Sequence, residues 1–297
     1  MKKIIPLLLF AFVFSAQTSQ AEKLPVAWSL SKDVAAPEST YLDKKSGFLF
    51  VSQIGKGGGM GKDGDGWISK LTLQGKVIKQ KWATGLNAPK GLRSAGDKLW
   101  VADIDRILAF SITSGKKVSE LKIPGAQFLN DLACGKDGTV YVSDMLAGKI
   151  YQYEEKTLKL SVLAEGDRIE HPNGLLVHKG KLIIGGWGID IQDDFSTKKP
   201  GRLLSLDLKS GELNAITTDP IGNLDGVESD GADGFVVTDW ISGKIMHVNG
   251  DGNTRTLATF PKGAADHAYL PDKKWLILPE MLENKISAFD LKKALKP

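Results

Sequence analysis

The stretch Asn130-Asp131-Leu132, followed eight residues on by Val140-Tyr141-Val142-Ser143-Asp144, recurs without a gap as Asp225-Gly226-Val227 and Phe235-Val236-Val237-Thr238-Asp239. Both copies run on alike, into Gly148-Lys149-Ile150-Tyr151 and Gly243-Lys244-Ile245-Met246. Looser copies lie around them. Glu38 leads to Phe48-Leu49-Phe50-Val51-Ser52, Lys90 to Leu99-Trp100-Val101-Ala102-Asp103, Asn173 to Leu182-Ile183-Ile184-Gly185-Gly186, and His267 to Trp275-Leu276-Ile277-Leu278. A fixed period of this size marks a repeat architecture.

Each copy reads as four short apolar strands separated by Gly, Asp and Lys turns, and no long capped helical periodicity interrupts them. Four strands in about 40–50 residues match one propeller blade. Six copies predict an all-β, six-bladed propeller of antiparallel blades. The sixth copy has only three strands, whereas a lone strand, Pro25–Leu30, precedes the first. Pairing the two would close the ring and remove an open edge.

The column residues are spaced 52, 40, 43, 52 and 42 apart, so copies one and four carry insertions, at Gly55–Gly66 and Trp187–Pro200. Both fall between the second and third strands, on the face that carries the column residue. Copies one and four oppose each other in a ring of six, so the insertions are expected to flank one mouth from opposite sides.

Met1-Lys2-Lys3, the apolar run from Ile4 to Ser15 and Ser19-Gln20-Ala21 have the layout of a secretory signal peptide over residues 1–21, leaving residues 22–297 as one propeller domain. A secreted, periplasmic protein with no membrane attachment after cleavage is expected. Removal of Lys2 and Lys3 lowers the formal charge from +4 to +2, and no basic run stands out, which argues against nucleic acid as a partner. The single cysteine, Cys134, excludes an internal disulfide and reads as an inert core thiol. A monomer acting on a small molecule is the simplest assembly.

The column Glu38, Lys90, Asn130, Asn173, Asp225 and His267 would converge at the propeller axis. Calcium takes six to eight oxygen ligands, and Glu38 and Asp225 balance a divalent cation while Asn130 and Asn173 add neutral oxygens. Zinc would prefer His and Cys, and only His267 offers such an atom. The plainer alternative is that these polar residues bond local backbone at strand-entry turns.

The motifs Ala36-Pro37-Glu38, Leu129-Asn130-Asp131, His171-Pro172-Asn173-Gly174-Leu175 and Leu224-Asp225-Gly226-Val227 resemble the senescence-marker-protein/gluconolactonase/luciferin-regenerating-enzyme-like family, related in plan to diisopropyl fluorophosphatase and the paraoxonases. The resemblance covers roughly residues 25–291 and implies a calcium ion held by Glu38, Asn130, Asn173 and Asp225. It implies a second-ion position near His267, with Glu228 and Asp266 as further candidates. The chain departs from the family where Ser39-Thr40-Tyr41 follows the first Glu, in the third-blade turn Lys136-Asp137-Gly138, and in Lys90.

The expected chemistry is a calcium-dependent hydrolysis of lactones, esters or related small molecules. Asp225 is the candidate base or nucleophile and His267 the alternative base. Lys90, Asp131, Trp187 and Trp240 are candidate substrate contacts. Two other classes stay open: a non-catalytic propeller binding a ligand or protein with any metal structural, and an oxidoreductase propeller holding a quinone-like cofactor. Gly59-Met60-Gly61-Lys62-Asp63-Gly64 fits a dinucleotide fingerprint, but a strand-like Trp67–Leu71 follows it where a helix is required. No G-x-S-x-G elbow and no H-E-x-x-H is present.

Overall fold

The computed structural model describes residues 24–296, so the signal-peptide reading of residues 1–21 lies outside the described residues. Six four-stranded antiparallel sheets form the blades of a propeller. Blade I holds Pro37–Asp43, Phe48–Gln53, Gly66–Thr72 and Val77–Leu86. Blade II holds Leu92–Ala95, Lys98–Asp103, Arg106–Ser111 and Lys117–Lys122. Blade III holds Leu129–Cys134, Val140–Asp144, Lys149–Glu154 and Lys159–Glu165. Blade IV holds Pro172–His178, Lys181–Gly186, Leu203–Asp207 and Leu213–Ala215. Blade V holds Leu224–Ser229, Phe235–Asp239, Lys244–Val248 and Thr254–Thr259.

Blade VI joins Ala268–Leu270, Trp275–Glu280 and Lys285–Asp290 to the N-terminal strand Val26–Leu30, which pairs antiparallel as the outer edge. The closure expected from the lone first strand is therefore present. Among the described residues the only helices are two single 3₁₀ turns, Asp167–Ile169 and Met281–Glu283.

The second strand of each blade is buried nearly throughout, as in Leu49-Phe50-Val51 or Val140-Tyr141-Val142, because both of its faces pack against a neighbouring blade. The core is accordingly divided among the blade interfaces. Phe50, Trp82 and Phe110 fill the one between blades I and II, and Trp100 and Tyr153 meet edge-on between II and III. Leu49, Val51, Ala268 and Ile277 seal blade VI to blade I. Outer strands are half-exposed, as the pattern of Lys117–Lys122 illustrates.

The insertion in blade I is irregular and is tied by its own acids: Lys56 N donates to Asp65 Oδ2 and Asp65 N to Asp63 Oδ1. The insertion in blade IV forms a small hairpin, Gly188–Ile191 with Thr197–Pro200. Cys134 is half-buried, and burial pushes its thiol up to about 12, which leaves it protonated and unreactive at neutral pH.

Candidate functional site

One device holds the loops that carry the column. The last residue of the second strand accepts backbone N–H groups just ahead of the column residue. Asp103 accepts from Asn87 and Ala88, ahead of Lys90; Asp144 accepts from Gln127 and Phe128, ahead of Asn130. Gln53 does the same for Ala35, ahead of Glu38. In blades I, II and III these bonds fix the entry of the inner strand before the functional side chain leaves it.

A second device ties blade III to blade IV and blade V to blade VI. Ser143 Oγ accepts from Asp131 N and donates to the carbonyl of Asn173 at 2.8 Å. Thr238 Oγ1 accepts from Gly226 N and donates to the carbonyl of Ala265 at 3.1 Å. The residue after the column often has no side chain, because the neighbouring backbone leaves no room: a Cβ on Gly174 would lie 1.8 Å from the carbonyl oxygen of Asp225.

This register corrects one expectation. Ala265 occupies in blade VI the place that Asn173 occupies in blade IV, so the sixth column member is Ala265. His267 lies two residues further along, paired in position with Leu132, Leu175 and Val227 of the other blades, all fully buried between blades. His267 is itself fully buried, and burial pushes its imidazole down to about 3, which keeps it neutral.

The other five column residues meet. Glu38, Lys90, Asn130, Asn173 and Asp225 line one cavity of about 200 Å³, together with Trp187 and Trp240. Both insertions reach it, through Gly59 and Met60 on one side and Phe195 on the other. Trp187 and Trp240 stand with ring centres 6.2 Å apart, and the Trp187 indole N–H donates to the carbonyl of Phe195 at 2.9 Å, locking the hairpin over the mouth. Asp131 and His267 are not among the lining residues.

Glu38 Oε2, Asp225 Oδ1 and both amide atoms of Asn173 are buried without a protein hydrogen-bond partner. Burial pushes the Glu38 carboxyl well above its ordinary range; Lys90 pulls it back, and Asp266 and Asp131 add to the rise. Asp225 is raised by burial first and then by Glu38, Asp266 and Asp131. Lys90 is 1% exposed, and burial lowers its ammonium against the pull of Glu38, Asp103 and Asp225. Its Nζ donates to the carbonyls of Gly59 at 2.9 Å and Ala88 at 3.4 Å, and stands 4.7 Å from the centre of the Phe128 ring.

Below this cavity lies a group that the sequence reading missed. Arg93, three residues after Lys90, turns its guanidinium into the tunnel and meets every other blade. It packs 5.5 Å from the Tyr41 ring of blade I and donates to the Leu175 carbonyl of blade IV at 3.5 Å. It lies 3.9 Å from Asp131 of blade III, 3.2 Å from Glu228 of blade V and 3.6 Å from Asp266 of blade VI. Burial pushes Asp131 up to about 8 and Glu228 up to about 7, with Arg93 opposing both. Asp131 is thus committed to Arg93 and to the N–H groups of Leu132 and Leu175. A guanidinium stands among Glu228 and Asp266, the residues considered for a second ion.

The upper site suits a hard divalent cation. Its donors are carboxylate and carboxamide oxygens, and several of them are buried without a protein partner, at a cost that a bound cation would offset. Among the described residues no three His, Cys, Asp or Glu side chains converge as a metal cluster, and the candidate set draws half its ligands from the amides of Asn130 and Asn173.

No protein-family profile and no curated protein matches the chain by sequence. Solved structures match it by fold. A gluconolactonase from Xanthomonas campestris aligns with a TM-score of 0.66 at 14% identity, over 89% of this chain and 88% of that one. A virginiamycin B lyase from Staphylococcus aureus with quinupristin gives 0.59 at 15% identity, over 90% and 99%. A chain of a nidogen/laminin complex gives 0.59 at 14% identity, over 77% and 91%. At such identities the likeness is one of fold, and it joins enzymes to a chain from a protein–protein complex.

Proposed function

We propose that the protein is a calcium-dependent hydrolase of small lactones, esters or related molecules, with the ion held by Glu38, Asn130, Asn173 and Asp225. The observation that carries the reading is the set of buried oxygen atoms without protein partners at Glu38, Asn173 and Asp225 in one cavity. The gluconolactonase among the structural neighbours supports it as a likeness of fold.

A bound divalent cation would supply Lewis-acid polarisation of a carbonyl or phosphoryl oxygen. The remaining work belongs to the chain. Asn130 and Asn173 orient the substrate from the neighbouring blades III and IV. Asp225 takes the proton of the attacking water as general base, and the water oxygen adds to the acyl carbon. The leaving alkoxide then receives that proton. Trp187, Phe195 and Trp240 exclude bulk water from the mouth.

The test is a melt of residues 22–297 with calcium and with chelator, followed by a screen of lactones and aryl esters. A calcium-raised melting temperature with turnover lost in Asp225→Asn supports the reading. A melt indifferent to calcium refutes the metal site. A calcium-raised melt with no turnover anywhere assigns the protein to ligand or partner binding instead.

A further inference from the structure

The cavity has two unlike halves. Its floor is polar, with Glu38, Lys90, Asn130, Asn173 and Asp225. Its walls are almost wholly apolar: Met60, Phe128, Met145, Trp187, Phe195 and Trp240. The polar handles of these side chains are two indole N–H groups, and that of Trp187 is already bonded to the carbonyl of Phe195. The walls therefore offer little to a ring of hydroxyl groups, and a hydroxyl buried without a partner disfavours binding. A polyhydroxylated sugar lactone matches the floor but not the walls.

The charges are also unbalanced once an ion is present. The carboxylates of Glu38 and Asp225 cancel a divalent cation, so the ammonium of Lys90 is the charge left over. That ammonium has three donors, and the carbonyls of Gly59 and Ala88 occupy two. Among the described residues no carboxylate lies within ion-pair distance of Lys90, whereas Arg93 has three. An uncompensated charge between apolar walls favours a counter-ion strongly, because little water screens it.

Resting on the calcium-hydrolase reading, we propose that the substrate is a small amphiphilic monoanion. Its single carboxylate or similar anionic group would meet Lys90, and an apolar body the size of an aromatic ring would lie against Phe128, Trp187 and Trp240. The cavity volume of about 200 Å³ sets the size: it falls below the roughly 300–1,000 Å³ of pockets for drug-sized ligands.

The experiment is calorimetric titration of the calcium-saturated protein with phenylacetate, phenylacetamide and gluconate. Phenylacetate is expected to bind at least tenfold more tightly than its neutral amide, which lacks the charge, and than gluconate, which lacks the apolar body. In Lys90→Met the phenylacetate affinity is expected to fall at least tenfold while that for phenylacetamide holds. Equal binding of gluconate or phenylacetamide by the parent protein, or no detectable phenylacetate binding, overturns the proposal without need of a variant. Calcium affinity is measured separately by competition with a chromophoric chelator. Absence of calcium binding removes both this inference and the hydrolase reading; calcium binding without the phenylacetate preference removes this inference alone.

Discussion

Arg93 Nη2 lies 3.2 Å from Glu228 Oε1, joining blade II to blade V across the tunnel. These blades face each other in the ring, so one fixed cation links opposite sides of the fold. Asp131 and Asp266 share the same guanidinium. Truncating one partner of a buried charged group costs far more than an exposed pair is worth, because the other charges stay buried.

Arg93→Ala should therefore destabilise the protein by about 3–5 kcal/mol, a fall in melting temperature of roughly 10 °C for a domain of this size. The loss should be smaller at pH 5 than at pH 8, since protonated Asp131 and Glu228 no longer need the cation. Urea denaturation at the two pH values checks both statements. A loss below 1 kcal/mol at pH 8 would show that the guanidinium is not the tunnel's structural cation.

Glu228 predicts a slope of stability with pH. Its folded-state value of about 7 lies above the ordinary 4.5, chiefly through burial. Between those values the folded chain keeps a proton that the unfolded chain has lost. Stability therefore falls as pH rises through that window and levels off above about 7, by on the order of 3 kcal/mol for this one group. Glu228→Gln stays neutral throughout and should flatten the curve between pH 4.5 and 7. The slope contributed by Asp131, whose value is about 8, should remain. Calcium-free melts across pH 4.5–8.5 measure this; an unchanged slope in the variant would contradict it.

Asn173 should trade stability against ion binding. Both of its amide atoms are buried and lack a protein partner. Asn173→Leu removes that penalty, so in chelator the variant should be as stable as the parent or gain about 1 kcal/mol. The calcium-induced rise in melting temperature, about 3 kcal/mol of stabilisation at a hundredfold excess over Kd in the parent, should vanish. A variant that keeps the full calcium shift would exclude Asn173 from the ligand set.

His267 should be dispensable for chemistry. It is neutral and sits between blades at the level of Leu132 and Leu175. His267→Leu is close to volume-conserving and should cost less than about 1.5 kcal/mol, with turnover within threefold of the parent. A tenfold or greater loss of turnover with an unchanged melt would return His267 to the catalytic set.

The fold was legible because each blade repeats one sentence of hydrophobicity. Val140–Asp144 and Phe235–Asp239 differ in three of their five side chains, yet keep the same apolar run and the same closing Asp. Five of the six column residues could be read for the same reason. The sixth was misread although the signal was present. The ten-residue step from Glu38 to Phe48, Asn130 to Val140 and Asp225 to Phe235 recurs from Ala265 to Trp275, and a search for polar chemistry passes over an alanine. Arg93 was illegible for a different reason. The residues at its offset are Tyr41, Arg93, Ala133, Leu176, Glu228 and Ala268, which share no chemistry. Their meeting is a property of the closed ring, and a linear sequence does not display which side chains reach across an axis.

The strand Val26–Leu30 is made first and finds its partner last. Ser29 and Ser287, whose hydroxyls meet at 3.0 Å, are 258 residues apart. During synthesis the first strand must wait while five blades are made, with its pairing edge unfilled and the faces of blades I and VI uncovered. Contacts this distant in sequence form slowly, since chain closure must be achieved before they stabilise anything. Until that strand docks, blade VI lacks its outer edge, and the ring that encloses Lys90, Arg93 and their carboxylates is held without its longest-range pairing.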